Sequence, residues 1–287
     1  MFSPLIVIYL FLAGAGCGAF VAAVYLSWRA RTVPGLAKPL GRIALPALVA
    51  SCGMVAVGAT CLLLDLGRPE LALEVLLNPA GSVLSVGAWA LVAFVGAAVL
   101  LIACNTKALR LGRGAVLAVK TAGCASAVVV MVYSGLFLST IWTLPFLGSP
   151  LVPVLFVCSS LSCGGGVLLI LPLVCDAPSG VLFRAVARVD AVLLVLEALA
   201  LTALLLLAMT DPLSSAAAAR LVTGDLAPVF WSALAVAGLA APFVLELAFY
   251  HADARKSACI GILLLLGGFF LRYCLCMAPF MEFISYL

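Results

Sequence analysis

The chain has 287 residues, of which 67% are hydrophobic and 9% charged, with a mean hydropathy of +1.35. A soluble domain of this size cannot present so little polar surface to water, so composition excludes one and predicts a polytopic membrane protein. The formal net charge of +4 requires no nucleic-acid partner, because the basic residues are spread over short loops.

Eight apolar runs approach or exceed the roughly 20 residues that a spanning helix needs: 5–27, 43–64, 83–104, 115–141, 151–174, 190–209, 227–250 and 259–280. The expected fold is all-α: eight transmembrane helices arranged as two four-helix bundles in one membrane domain, 1–287, with halves at 1–142 and 143–287. In the first run Gly14, Gly16, Gly18 and Ala22 predict a face where helices approach closely. The second run ends on Asp65. Gly67 and Pro69 then break the helix around Arg68. Asp65 and Arg68 can form a local ion pair that only shapes this turn, or they can belong to a site. Gly164 to Gly166 in the fifth run serve packing or loosen the helix. Ala216 to Ala219 predict a short interfacial helix between the sixth and seventh runs.

An even number of spans places both termini on one side. Arg29, Arg31, Lys38 and Arg42 follow the first run, and Lys107, Arg110, Arg113 and Lys120 the third. Arg184 and Arg188 follow the fifth, and Arg255 and Lys256 the seventh, which accounts for twelve of the fifteen basic residues. Positive-inside asymmetry therefore puts these loops in the cytoplasm, with both termini and the Asp65–Arg68 turn outside.

The single histidine, His251, cannot supply the paired axial ligands of a membrane cytochrome b haem, and it argues against a His-rich metal site. It is read as solvated loop surface. Eleven cysteines are scattered through apolar runs with no C-x-x-C, so no iron–sulfur cluster is expected in this chain. They read as small buried hydrophobes. No basic segment precedes the first run, so a cleaved signal peptide is not expected.

Several polar side chains fall within these runs. Tyr9, Asp65, Trp89, Tyr133 and Trp142 lie toward the outer ends of the first four spans or just beyond them. Aromatic residues at headgroup level explain Trp142 well. Tyr133 lies deeper, and its hydroxyl needs a partner there. A quinone head group wants donors at its oxygens and apolar walls. Tyr133 as donor with Asp65 as proton acceptor would suit quinol oxidation. In the second half, Asp190, Glu197, Glu246 and Arg272 lie in or at the ends of spans, where an ionisable group is a candidate for function by default. Asp190 opens the sixth run. Glu197 and Glu246 fall at comparable depth and could form an inner half-channel for protons; a structural ion pair is the alternative. Arg272 lies nearer the outer face.

The segment from Leu62 to Glu70, "LLLDLGRPE", with Asn78-Pro79 and "SVGAW" after it, resembles the NrfD/PsrC family of quinone-linked membrane subunits. "IYLFLAGAGCGAF", "YSGLFLST", "PLVPVLFVCSSLSCGGG" and "GGFFLRY" are similar to that family's first, fourth, fifth and eighth helices. The resemblance implies the membrane subunit of a quinone-linked oxidoreductase, binding menaquinol or ubiquinol among the first four helices near the outer face. It implies an iron–sulfur, ferredoxin-like partner docking on that face near Asp65–Glu74, and a molybdopterin or other catalytic subunit beyond it. It places Tyr133 among the quinone contacts, with Tyr9, Asp65, Arg68, Trp89 and Trp142 nearby. Proton translocation through Glu197, Glu246 and Arg272 is the further expectation, in a prokaryotic inner membrane. The rival readings are a secondary transporter or channel, and a structural anchor without quinone.

Overall fold

A computed structural model describes residues 3–33, 35–65, 83–139, 145–212, 214–249 and 252–281. The described chain is helical throughout. α1 is Pro4–Arg29, α2 Ala37–Asp65, α3 Val83–Asn105, α4 Arg113–Ser139, α5 Leu151–Val174 and α6 Gly180–Thr210. A short α7, Ser215–Val222, is followed by the seventh span, α8, over Ala227–Ala248, and by α9, Ala254–Met277. All of these except α7 are long and apolar enough to cross a bilayer, which gives eight candidate spans.

Local chemistry sets several boundaries. Ser3 accepts a hydrogen bond from the Leu5 amide, and Pro4 takes the first helical position, where no amide is needed. α6 begins ten residues before the predicted run, so Asp190 does not open that helix but sits about 15 Å along it. The charged turn bearing Arg184 and Arg188 is helical too, because helix formation does not stop where hydrocarbon does. α2 likewise extends back to Ala37. Within α8, Phe230–Ala240 is a π-helix, and the Ala241 amide reaches back five residues to the Val236 carbonyl. Hydrophobic periodicity alone does not foretell that register.

Glycines govern the packing. A Cβ on Gly18 or on Gly164 would overlap the other helix's backbone, so α1 and α5 meet main chain to main chain. Gly166 and Gly261 do the same for α5 and α9, and Gly238 and Gly267 for α8 and α9. The run Gly164–Gly166 is therefore a packing seam. Gly16 lies against Val55 of α2, and the Ser51 hydroxyl donates to its carbonyl at 2.7 Å. α1 and α5 become the most enclosed spans, followed by α9, while the others keep a broad face toward lipid. α1 touches α2, α4, α5 and α9, and α5 touches α1, α4, α6 and α9. One apolar cluster runs from Val7 and Phe94 through Phe156 to Leu204, Phe230 and Leu271, joining both halves of the molecule.

On the face that carries the termini, α7 is the short helix expected between the sixth and seventh spans. Arg220 in its last turn pairs with Asp225 at 2.6 Å and donates to the Met277 and Ala278 carbonyls at 3.1 Å. The opposite face collects the basic loops.

Candidate functional site

The deepest of the aromatic donors expected from the sequence is set among five helices. Tyr133 is buried on α4, its ring laid against α3 at Gly87, where any Cβ would collide with it. Ser134 turns its hydroxyl back to the Val130 and Met131 carbonyls, both at 2.9 Å, so it is spent on its own helix. Gly135 brings α4 onto Pro153 of α5. Phe137 flanks the Tyr133 ring with centroids 6.1 Å apart. Tyr9 on α1 is equally buried and within electrostatic reach of Tyr133. Gly58 of α2 packs against the Tyr9 carbonyl, which fixes that turn of α1. The two phenols thus occupy one buried locus.

Asp65 is the last residue of α2, on the terminal face and partly buried. Trp89 does not join the pair. It stands two residues beyond Gly87, about 200° around the helix, and is 52% exposed on the lipid side of α3. That position fits a membrane-interface aromatic. Arg68 and Trp142 lie outside the described residues, as do Glu74 and His251.

A second polar locus surrounds Arg272, which is wholly buried. Its Nε donates to the Leu10 carbonyl at 3.1 Å, next to Tyr9 on α1. Nη1 donates to Ser159 Oγ at 3.2 Å and to the Gly268 carbonyl at 2.7 Å, and Nη2 to Ser160 Oγ at 2.7 Å. The guanidinium lies 5.1 Å from the Phe156 ring centre. A Cβ on Gly14 would come within 2.6 Å of Nη2, and one on Gly268 would meet Cys163 and Nη1. Both glycines are therefore part of the cradle. Glu197, on α6, also reaches Ser159 and lies in the field of Arg272. The Ser159 hydroxyl thus stands between cation and carboxylate. The two do not meet directly, which agrees with their unequal depth.

Glu246 and Glu197, expected to act together, both neighbour Asp190. Glu246 on α8 faces Asp190 on α6, and Asp190 lies two helical turns from Glu197 toward the basic side, within its field.

Ser159 and Ser160 carry no role in the sequence reading, although a serine pair in mid-membrane was the available signal. Polar side chains there seek partners across helices. Among the described residues no group of three or more His, Cys, Asp or Glu is placed to hold a metal ion.

These features define a class: an eight-span helical membrane protein with a buried tyrosine pair in its first half and a buried arginine and carboxylates in its second. The sequence profile described as "Polysulphide reductase, NrfD" matches residues 1–283, and the chain belongs to that family. It is 29% identical to the C subunit of polysulfide reductase from Wolinella succinogenes, over 93% of the present sequence and 90% of that protein. The protein is thus, as its family is, a membrane subunit fitted to a redox complex.

Proposed function

We propose that this protein is the quinone-reactive subunit of a multi-subunit oxidoreductase, exchanging electrons between menaquinol or ubiquinol and an iron–sulfur partner. The observation that carries the reading is the Tyr9–Tyr133 pair, buried among the first five helices with the Tyr133 ring seated on Gly87. Two phenol donors beside Phe137 and apolar helix walls offer what a quinone head group needs, so the residues fit the group. A bound quinone supplies the reversible electron and proton couple. The protein's own part is to orient the ring oxygens through Tyr133 and Tyr9, to exclude water, and to accept protons at Asp65 on the terminal face.

In this reading the ferredoxin-like partner docks on the terminal face near the turn that starts at Asp65, and a molybdopterin or other catalytic subunit lies beyond it. The terminal face is then the outer face of a prokaryotic inner membrane. The Wolinella relative is named as one lettered subunit of a reductase, which sets that protein among further subunits and supports a similar setting here. The buried charges Glu197, Glu246 and Arg272 support a proton route through the second half, expected to accompany turnover.

The test is photolabelling of membranes containing the complex with an azido-quinone, followed by peptide mapping. Adducts should fall on α1 and α4 around Tyr9 and Tyr133 and be competed by unmodified quinone. Adducts confined to other helices would refute the reading.

A further inference from the structure

Among the described residues, the second half of the molecule buries three carboxyl groups, Asp190, Glu197 and Glu246, and one fixed cation, Arg272. Arg272 is committed elsewhere. Its hydrogen bonds run to α1, to α5 and to its own helix, and the carboxylate it answers is Glu197, through Ser159. Asp190 and Glu246 remain. They are 2% and 6% exposed and face one another; none of their four oxygens is in hydrogen-bonding geometry with a donor among the described residues, and the buried Ser162 hydroxyl of α5 lies within reach of Asp190.

Two carboxylates in that position each forfeit their water and repel each other. A proton between them removes the repulsion and converts two acceptors into a donor and an acceptor. We propose that Asp190 and Glu246 form an acid pair that holds at least one exchangeable proton inside the membrane near the basic face. The inference does not depend on where quinone binds.

Other titratable groups surround the pair: Glu197, two turns along α6, and Cys163 of α5 both lie in the field of Asp190. Cys163 of α5 donates to the Leu264 carbonyl at 3.6 Å. Lys256 of α9 sits over the Phe249 ring at 5.0 Å. Arg188 of α6 is exposed and Arg184 half-buried, both toward the basic face, and Tyr25 of α1 lies across a lipid-side cavity of about 280 Å³ that Asp190 helps to line. On α5, a Cβ at Gly165 would stand 3.6 Å from Asp190 Oδ1.

Glu246 stands two residues before the basic-side end of its span, so the pair's exchange is assigned to that side. At the basic face an open cleft of about 440 Å³ is lined by Lys38, Arg42 and Asp176 together with Pro172, Leu173 and Ala254. Arg42 donates to the Asp176 carbonyl at its rim. One turn deeper than Ala254 on α9 comes Ser257, fully buried, its hydroxyl without a partner among the described residues. A proton passing from water in this cleft toward Glu246 leaves hydroxide equivalents in the aqueous phase and neutralises one carboxylate. The reverse transfer restores both.

The measurement uses the wild-type complex in nanodiscs, treated with dicyclohexylcarbodiimide. This apolar reagent attacks a protonated carboxyl group and leaves a stable N-acylurea with no oxidant required. Mass mapping should find the adduct on Glu246 or Asp190, with yield falling at least tenfold as pH is raised through the range where the pair loses its proton. Sodium chloride in place of potassium chloride should leave the yield unchanged. Protection by sodium would overturn the proposal in favour of a cation site. Absence of label from both residues at every pH would overturn it outright. Infrared spectra give an independent reading. The protonated carboxyl C=O band, shifted by deuterium, should lose intensity in Glu246→Gln and in Asp190→Asn, and persist in Glu197→Gln. Spectra unchanged in the first two, in samples that remain monodisperse, would refute the pair.

Discussion

Gly87 and Tyr133 form a unit of two residues on different helices. The glycine contributes only the room its missing side chain leaves, and the tyrosine contributes a hydroxyl at a fixed depth. Tyr133→Phe keeps the ring that fills this room and removes one donor. A neutral hydrogen bond contributes about 0.5–1.5 kcal/mol net, so quinol affinity should fall roughly 2- to 13-fold in electron-transfer assays on membranes. The iron–sulfur partner should remain attached on blots, since no apolar contact is lost. Unchanged kinetics would move the site away from α4. Asp65→Asn should lower turnover more than affinity if Asp65 accepts protons, because uniform binding is left intact. Loss of the partner in this variant would instead assign Asp65 to shaping the turn.

Helix pairs are set by where the backbone can come close. Gly164→Val would drive two methyl groups into the Gly18 main chain, where no flexible side chain can yield. The expected outcome is a protein that loses its monodisperse peak in detergent, whereas Gly53→Ala, with open space around its Cβ position, should behave as wild type. A well-behaved Gly164→Val protein would refute the α1–α5 seam. The α7 contact makes a milder prediction. The Arg220 hydrogen bond holds the Asp225 carboxyl below its usual range. A depressed group stabilises above its unfolded value, about 3.9, and that contribution is lost as pH falls through the folded one. The protection of α7 amides, taken relative to the intrinsic exchange rate at each pH, should therefore stay flat from neutral pH to about 4 and fall only below it. Because the pair is exposed, its loss should be small. Arg220→Ala also severs the bonds to Met277 and Ala278, and should speed α7 exchange at every pH.

The same elements show what could be read from the sequence in advance. Eight spans, the α1 glycine face and the α7 helix were legible because hydrophobicity, small residues and turn chemistry are local signals. The facing of Asp190 and Glu246 was not, since it depends on α6 extending through Arg184 and Arg188 before it enters the apolar run. Nor was the Ser159 bridge, which requires knowing that α5, α6 and α9 meet at one level. Trp89 resembled its neighbours in depth, but only the phase fixed by Gly87 turns it toward lipid.

For the whole molecule, the remaining question is orientation. Twelve of fifteen basic residues stand on the face opposite the termini, many at helix ends: Arg29 closes α1, Arg113 opens α4, and Arg184 lies in the first turns of α6. Lys120 reaches inward to Ser27 of α1 at 3.1 Å, but its charge still belongs to that side. Arg220 and Arg272 sit toward the terminal face and are held by Asp225 and by the cradle beside Tyr9, so neither is a free positive charge competing for orientation. The bias predicts the basic face inside and both termini out. An alkaline phosphatase fused after Leu287 should be active, and a green fluorescent protein at the same place, exported unfolded, should be dark. The consequence reaches the site itself. Tyr9, Tyr133 and Asp65 would deliver quinol protons to the outer side, while the Asp190–Glu246 pair would exchange with the inner one. A bright fluorescent fusion with a silent phosphatase would invert both assignments and place the redox partner in the cytoplasm.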